Sequence, residues 1–462
     1  SRIYSTAEPW VMLHPLYALR THGIQTDYNA RLANNALQDV LAQLPNGKGD
    51  YFAAIKKFGL HLYGQFLQER DENIFLDKTP RYYKIIPELI KTYPRAKFIF
   101  LVRNPVAVLV SIYKTWIGNN LKLLSHHRDD IFEAPEKILS GIKLAGKRGY
   151  MLKYEKLATS PEEEVQKLCA FLDIRFEEGM LDYSRATVGK GKMGDPRKVH
   201  KHSKVVTHYS DAWKTKIDNP TLAYLVNDFL KNISPKLFRD FGYSYLNILL
   251  DVQLQRHTMA EPDEQQQRIL QEVLGTHKEG ILISNNQVLN SLDDFEKKLS
   301  PKVGKNTEEK LLQWLQENIP DTLLAHRTIQ GYLKALVKLY KGNITEAEKL
   351  LQQVLKKDAS FFKAAVQLSF LYWSQQNKDD AVKYMRYARN IAPGNSQTLK
   401  SCLQMWDQMQ MHEKAYDERC RYYASNPTDE DNIDQLINML STYFKPGNIE
   451  LIKDKFNRVQ FG

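Results

Sequence analysis

Phe98-Ile-Phe-Leu-Val-Arg103-Asn-Pro105-Val-Ala-Val-Leu-Val-Ser111-Ile-Tyr113 is the stretch on which the fold turns. Lys97–Val102 is almost wholly apolar and rich in β-branched and aromatic side chains, the composition of a strand buried on both faces in a parallel sheet. Arg103 follows at the carboxyl end of that strand. Pro105 suits the first turn of a helix, and Ser111 falls on that helix about two turns beyond Arg103. Ligands of open α/β sheets bind at the carboxyl ends of strands. A guanidinium offers a planar fork to phosphate oxygens, and a hydroxyl adds a further donor. Arg103 and Ser111 are therefore candidate anion ligands, although an Arg in this position serves equally often in a structural ion pair.

The neighbouring segments extend the pattern. Asp50–Glu69 carries Phe52, Ile55, Phe58, Leu60, Leu62 and Phe66 at helical spacing, and Tyr82–Tyr93 reads as a second helix started near Thr79-Pro80. Tyr150–Tyr154 reads as another strand, followed by a helix over Pro161–Leu172. Strands alternating with helices predict an α/β fold with a parallel sheet. Gly189–Lys216 interrupts this order with eight Lys and Arg residues against Asp195 and Asp211. It is either a solvated basic loop or the partner of a ligand with several negative charges.

The last third repeats itself. Ala347, Ala381 and Ala415 recur at a 34-residue step, as do Pro393 and Pro427, Ala335 and Ser369, and Leu351 and Met385. That period is the signature of tetratricopeptide hairpins, in which small residues let paired helices approach closely. The third copy places Arg419 where the pattern asks for an apolar residue, and Asp429–Gly462 reads as a degenerate cap. The expected organisation is an α/β domain over 1–245, a helical connector over 246–327 and repeats over 328–462.

Composition bounds the function. The chain has 462 residues, 43% of them hydrophobic, and 65 Lys and Arg against 54 Asp and Glu, for a net charge of +11. This excludes a disordered or collagenous chain, and no run approaches the length of a membrane-spanning helix. Three widely spaced cysteines exclude a disulfide scaffold and a Cys-rich zinc module, and they point to a reducing compartment, the cytoplasm. The basic residues cluster in one loop instead of interleaving with aromatics, which argues against a nucleic-acid surface. A nucleotide kinase would need a Walker lysine and an acidic magnesium ligand, and the sequence supplies neither.

The Arg103…Ser111 string resembles the 3′-phosphate-binding segment of sulfotransferases that use 3′-phosphoadenosine 5′-phosphosulfate. Three other stretches are similar to segments of that family. Asp77-Lys78-Thr79-Pro80-Arg-Tyr82 looks like the Lys segment that, in the tyrosylprotein and heparan-type branches, sets an ammonium near the transferring sulfuryl group. Lys153-Tyr154-Glu155-Lys-Leu157 resembles the segment whose Tyr faces the adenine, and Lys190-Gly191-Lys-Met-Gly194-Asp195 resembles the loop that closes on the 3′-phosphate. Thr6-Ala-Glu8-Pro-Trp, running on to Arg20, is similar to the stretch of the tyrosylprotein branch that carries its general base. The resemblance spans about residues 2–245.

It implies a transfer without a metal, from that donor to a hydroxyl acceptor: a protein Tyr, a sugar or a small alcohol. Glu8 would act as base, with His14 as the alternative, and Lys78 would stabilise charge on the bridging oxygen. A positioned base contributes typically about 10²–10⁴-fold. Arg103, Ser111, Lys190 and Gly191 would hold the 3′-phosphate, and Tyr154 the adenine.

One departure stands out. The family's strand–loop–helix, with a loop of the type Pro-Arg/Lys-Ser-Gly-Ser/Thr-Thr for the 5′-phosphosulfate, occurs nowhere in residues 1–245 and is expected upstream of Glu8. The chain is accordingly expected to be an amino-terminally truncated, inactive fragment of a P-loop-like sheet. The rival expectation is a repeat-based adaptor that binds a protein partner while its α/β half is not catalytic.

Overall fold

The computed structural model describes residues 3–6, 8–20, 27–68, 70–182, 211–274, 324–392, 395–444 and 449–461, with isolated positions between 275 and 323. Most of the basic stretch, including Lys190 and Gly191, lies outside the described residues, as does Pro393. The chain divides into two compact units, Ser1–Ile217 with Leu237–Tyr243, and Asp218–Lys236 with Ser244–Gly462.

The first unit alternates strands and helices. In chain order it runs β1 (Ile3–Tyr4), α1 (Leu13–Tyr17), α2 (Ala30–Gln43), α3 (Lys48–Leu67) and β2 (Ile74–Phe75), then α4 (Ile86–Thr92), β3 (Phe98–Val102) and α5 (Pro105–Ile112). It continues with α6 (Leu124–Phe132), α7 (Ala134–Ala145), β4 (Gly149–Lys153), α8 (Tyr154–Thr159), α9 (Pro161–Leu172) and the short α10 (Ala212–Lys216). Among the described residues the strands form two parallel pairs. Ile3 and Tyr4 lie opposite Ile74 and Phe75, and Phe98–Val102 runs in register with Gly149–Lys153. A parallel pair requires a crossover, and α5, α6 and α7 supply it between β3 and β4.

Local chemistry sets these elements. Asn104 accepts the Val106 N–H at 3.0 Å and Pro105 opens α5, so the strand passes into the helix with its first amides satisfied. Tyr82–Tyr93, expected as one helix, is a 3₁₀ segment over Pro80–Ile85 followed by α4. Pro87 has no N–H to give the preceding turn, so a new helix starts there. Helix α3 buries Gly59, with Phe52, Ile55 and Tyr63 packed toward the core of Met12, Leu16, Ile85 and Leu89. Phe58 and Leu60, expected on that face, point to solvent, while Phe66 stacks on Phe75 of β2. A Cβ at Gly59 would lie 2.0 Å from the Tyr93 hydroxyl, so the close contact runs through the glycine. A second core joins Tyr83, Ile86, Ile90 and Phe100 to Ala134 and Ala145 of α7.

The second unit is helical. It holds α11 (Pro220–Asn232), α13 (Tyr245–His257) and α14 (Glu264–Leu274), with α12 (Pro235–Asp240) between the first two in the chain. Next come α15 (Leu324–Tyr340), α16 (Ile344–Lys357), α17 (Phe362–Ser374), α18 (Lys378–Ile391), α19 (Ser396–Gln408) and α20 (His412–Ser425), then α21 (Glu430–Met439) and α22 (Ile449–Phe461). Helices α15 to α20 pair as three hairpins, and the 34-residue step governs their turns. Gly342, Gln376 and Gln410 hold φ of 77°, 61° and 55° at the tip of each hairpin. Asn343 and Asn377 then cap α16 and α18 through the amides of Glu346 and Asp380. Ala347, Ala381 and Ala415 are buried at the helix crossings, and the Ser369 hydroxyl donates to the Ala381 carbonyl at 2.6 Å. Arg419 fits its apolar register because its guanidinium pairs with Asp407 at 2.5 Å.

Helix α13, at the start of the stretch expected as a connector, is largely buried through Leu246, Leu249, Leu250 and Val252. It carries α22, through Lys455–Asp251 at 2.6 Å. Among the described residues no helix is long and apolar enough to cross a membrane.

The repeated turn makes a testable contrast. Left-handed backbone disfavours a Cβ by about 1–2 kcal/mol. Gly342→Ala is expected to lower the unfolding free energy by about 1 kcal/mol in urea titration. Gln376→Gly, at the equivalent turn, should not lower it.

Candidate active site

Parallel pairing places the candidate residues. Glu8 follows β1 and Lys78 follows β2, the two strands of one parallel pair, and the Lys78 ammonium meets Glu8 Oε1 at 2.7 Å. The Glu8 side chain is only 13% exposed, against 61% for Lys78, so the carboxylate lies under a lysine that reaches into solvent.

Asp77 holds this arrangement. Its Oδ2 accepts from the Tyr63 hydroxyl at 2.5 Å and the Tyr82 hydroxyl at 2.7 Å, and its Oδ1 accepts from the Thr79 hydroxyl at 3.0 Å. The same oxygens of Thr79 and Tyr82 accept the backbone N–H groups of Trp10 and Met12 at 3.2 and 3.0 Å. The segment bearing Glu8 is thus tied through two hydroxyls to the segment bearing Lys78. Burial, and after it the charge of Asp77, drives the Tyr63 and Tyr82 hydroxyls far above the ordinary phenol range, and that of Tyr93 up to about 12. All three remain protonated. Trp10 adopts φ 54° within this segment, a conformation that bulky side chains rarely hold without surrounding bonds to enforce it.

At the other pair, Arg103 directly follows β3 and Tyr154 directly follows β4. Val102 lies opposite Lys153 in register, so the next residues of both strands are neighbours. The Arg103 guanidinium stands 4.4 Å from the centre of the Tyr154 ring, a cation–π contact. Ser111 is exposed on the last turn of α5. His14 is exposed on α1, and it is the Glu8 carboxylate that Lys78 engages.

Two groups of residues escaped the sequence. Asp77 stood beside Lys78 in a recognisable motif, but its role depends on Tyr63, which lies on a helix 14 residues earlier. Glu155 accepts the Asn104 N–H at 3.0 Å and the Tyr243 hydroxyl at 2.5 Å, joining positions 51 and 88 residues apart. No local pattern marks such pairs. Among the described residues no group of three or more His, Cys, Asp or Glu is placed to hold a metal.

Comparison with known proteins places part of the chain beside a described family. A family described as "Sulfotransferase family" matches residues 1–178. The nodulation protein NoeE of Sinorhizobium fredii is 28% identical over 189 residues, covering 37% of this chain and 44% of the relative. A putative protein-tyrosine sulfotransferase of Caenorhabditis briggsae is 28% identical over 105 residues, or 21% of this chain and 36% of that protein. The chain therefore spans less than half the length of these curated relatives.

Among solved structures, the sulfotransferase domain from the curacin biosynthetic pathway matches with a TM-score of 0.30 at 20% identity, covering 46% of this chain and 90% of that one. Yeast Tom70 matches with a TM-score of 0.26 at 12% identity, covering 92% and 84%. Residues 1–178 thus match the sulfotransferase family, and the same chain continues into a helical unit built on a 34-residue repeat.

Proposed function

We propose that the first unit takes part in transferring a sulfuryl group from 3′-phosphoadenosine 5′-phosphosulfate to a hydroxyl. The observation that carries this reading is the placement of the Glu8–Lys78 pair and the Arg103–Tyr154 stack, each just beyond the carboxyl ends of a parallel strand pair. In the reaction an acceptor oxygen forms a bond to sulfur as the bond from sulfur to the bridging phosphate oxygen breaks. Adenosine 3′,5′-bisphosphate leaves. Glu8 takes the acceptor proton, and Lys78 neutralises the charge that grows on the bridging oxygen. The ammonium already sits on Glu8 Oε1, so one cation serves both the resting carboxylate and the leaving oxygen.

Arg103 and Ser111 bind the 3′-phosphate, assisted by Lys190 and Gly191 of the basic stretch. Tyr154 presents one ring face to Arg103, and the adenine packs on this tyrosine. The acceptor is a Tyr side chain, a sugar or a small alcohol, and the repeats recruit the protein that carries or presents it. Three buried free thiols support a reducing compartment such as the cytoplasm. The residues named here account for the nucleoside and 3′-phosphate side of the donor.

Calorimetric titration tests this. Adenosine 3′,5′-bisphosphate should bind more tightly than adenosine 5′-phosphate, and Arg103→Ala should weaken the bisphosphate at least about tenfold, the value of a charged hydrogen bond. Equal binding of both nucleotides by the unaltered chain would sink the reading.

The two halves of the Glu8 platform should separate in stability. Asp77→Ala strands the Tyr63, Tyr82 and Thr79 donors and is expected to cost about 2–3 kcal/mol. Lys78→Met, at an exposed pair, should change the unfolding free energy by less than about 1 kcal/mol. Urea titrations of both variants give the comparison.

A further inference from the structure

Lys153, Tyr154 and Glu155 are consecutive, and the two outer residues grip one distant segment while the middle one meets Arg103. Lys153 donates from its ammonium to the Gly242 carbonyl at 2.8 Å and stands 4.2 Å from the centre of the Tyr243 ring. Glu155 accepts the Tyr243 hydroxyl at 2.5 Å. Gly242 holds φ 75°, a left-handed conformation that glycine adopts without a Cβ penalty, and a Cβ there would come within 2.9 Å of the Lys153 ammonium. The second oxygen of Glu155 accepts the N–H of Asn104, the residue immediately after Arg103. Asn104 in turn caps α5, the helix that carries Ser111.

From this geometry we infer that Glu155 and Tyr243 are positioning residues for the Arg103 phosphate fork, and that Tyr243, beyond the matched residues 1–178, is part of the donor site's support. The inference rests on the donor-site reading above. Arg103 is bounded on one side by the β3–β4 ladder and on the other by the Asn104 amide on Glu155. Its guanidinium is oriented by the ring that precedes Glu155. An unsupported long cation samples many rotamers, whereas one held at both backbone neighbours and along one face loses less freedom on meeting a planar anion. Tyr243 stays a donor because burial, and then its bond to Glu155, raise its hydroxyl well above the phenol range, with Arg103 opposing weakly.

The test is a thermodynamic cycle on the whole chain, with adenosine 3′,5′-bisphosphate and adenosine 5′-phosphate as probes. Tyr243→Phe removes one hydroxyl and should weaken the bisphosphate about tenfold, the scale of one hydrogen bond to a charged group, while changing the monophosphate less than about twofold. Glu155→Ala should act at least as strongly. Glu155→Gln, able to keep an oxygen on the Asn104 amide and turn its NH₂ toward Tyr243, should restore most of the selectivity.

In the Arg103→Ala background, Tyr243→Phe should have no further effect on either nucleotide. Amide hydrogen exchange at Asn104 should accelerate in Tyr243→Phe without nucleotide present. If Arg103→Ala abolishes the preference for the bisphosphate but the Tyr243 and Glu155 variants leave it intact, or weaken both nucleotides alike, positioning is overturned and the donor site stands. If the unaltered chain shows no preference, the donor-site reading fails and this inference fails with it.

Discussion

Parallel register is the constraint from which the rest of the first unit follows. When two strands run side by side in the same direction, the residues just beyond their carboxyl ends become neighbours, however far apart they lie in the chain. Glu8 and Lys78 meet on that account across 70 residues, and Arg103 and Tyr154 across a crossover of three helices. At such ends backbone N–H groups and the amino ends of following helices converge, which is why anions collect there. Both pairs put a cation at this place. One cation is balanced by a carboxylate and the other lies against a ring.

Each pair is backed by a carboxylate that works through hydroxyls. Asp77 receives Tyr63, Tyr82 and Thr79, and two of those oxygens pass the restraint to the backbone on either side of Val11. Glu155 receives Tyr243 and the Asn104 amide. A half-buried carboxylate with several donors resists displacement, because removing it strands every donor it serves. A side chain in front can therefore stay exposed while the groups behind it are held. Lys78 is well exposed, whereas Thr79, the next residue, is buried.

The helical unit is ordered by a different rule. Its period is kept less by identical residues than by a conformation, a left-handed residue at each hairpin tip, which Gly342 adopts without penalty and Gln376 and Gln410 adopt because the flanking helices hold them. Where the apolar pattern fails, at Arg419, an aspartate one helix away restores the balance. Buried charge recurs nearby: Glu418 joins Arg389 and Arg421, all three less than a tenth exposed. Such a cluster is unforgiving of partial loss, because deleting one member leaves the others charged in a dry interior.

The sequence by itself determined what depends on neighbours along the chain. The apolar run that became β3, the Asn104-Pro105 start of α5, the helix over Pro161–Leu172 and the 34-residue step were all readable, because strand composition, capping and helical period act over a few residues. The motifs holding Glu8, Lys78, Arg103 and Tyr154 were readable for the same reason. Tertiary structure alone decided which of them meet. It turned Phe58 and Leu60 outward by packing α3 through Gly59, and buried α13 among the helices of the second unit. It also brought Tyr63 to Asp77 and Tyr243 to Glu155. A hydrogen bond between residues 88 apart leaves no mark on the residues between them, since its geometry is set by how whole elements pack and not by any local preference of the chain.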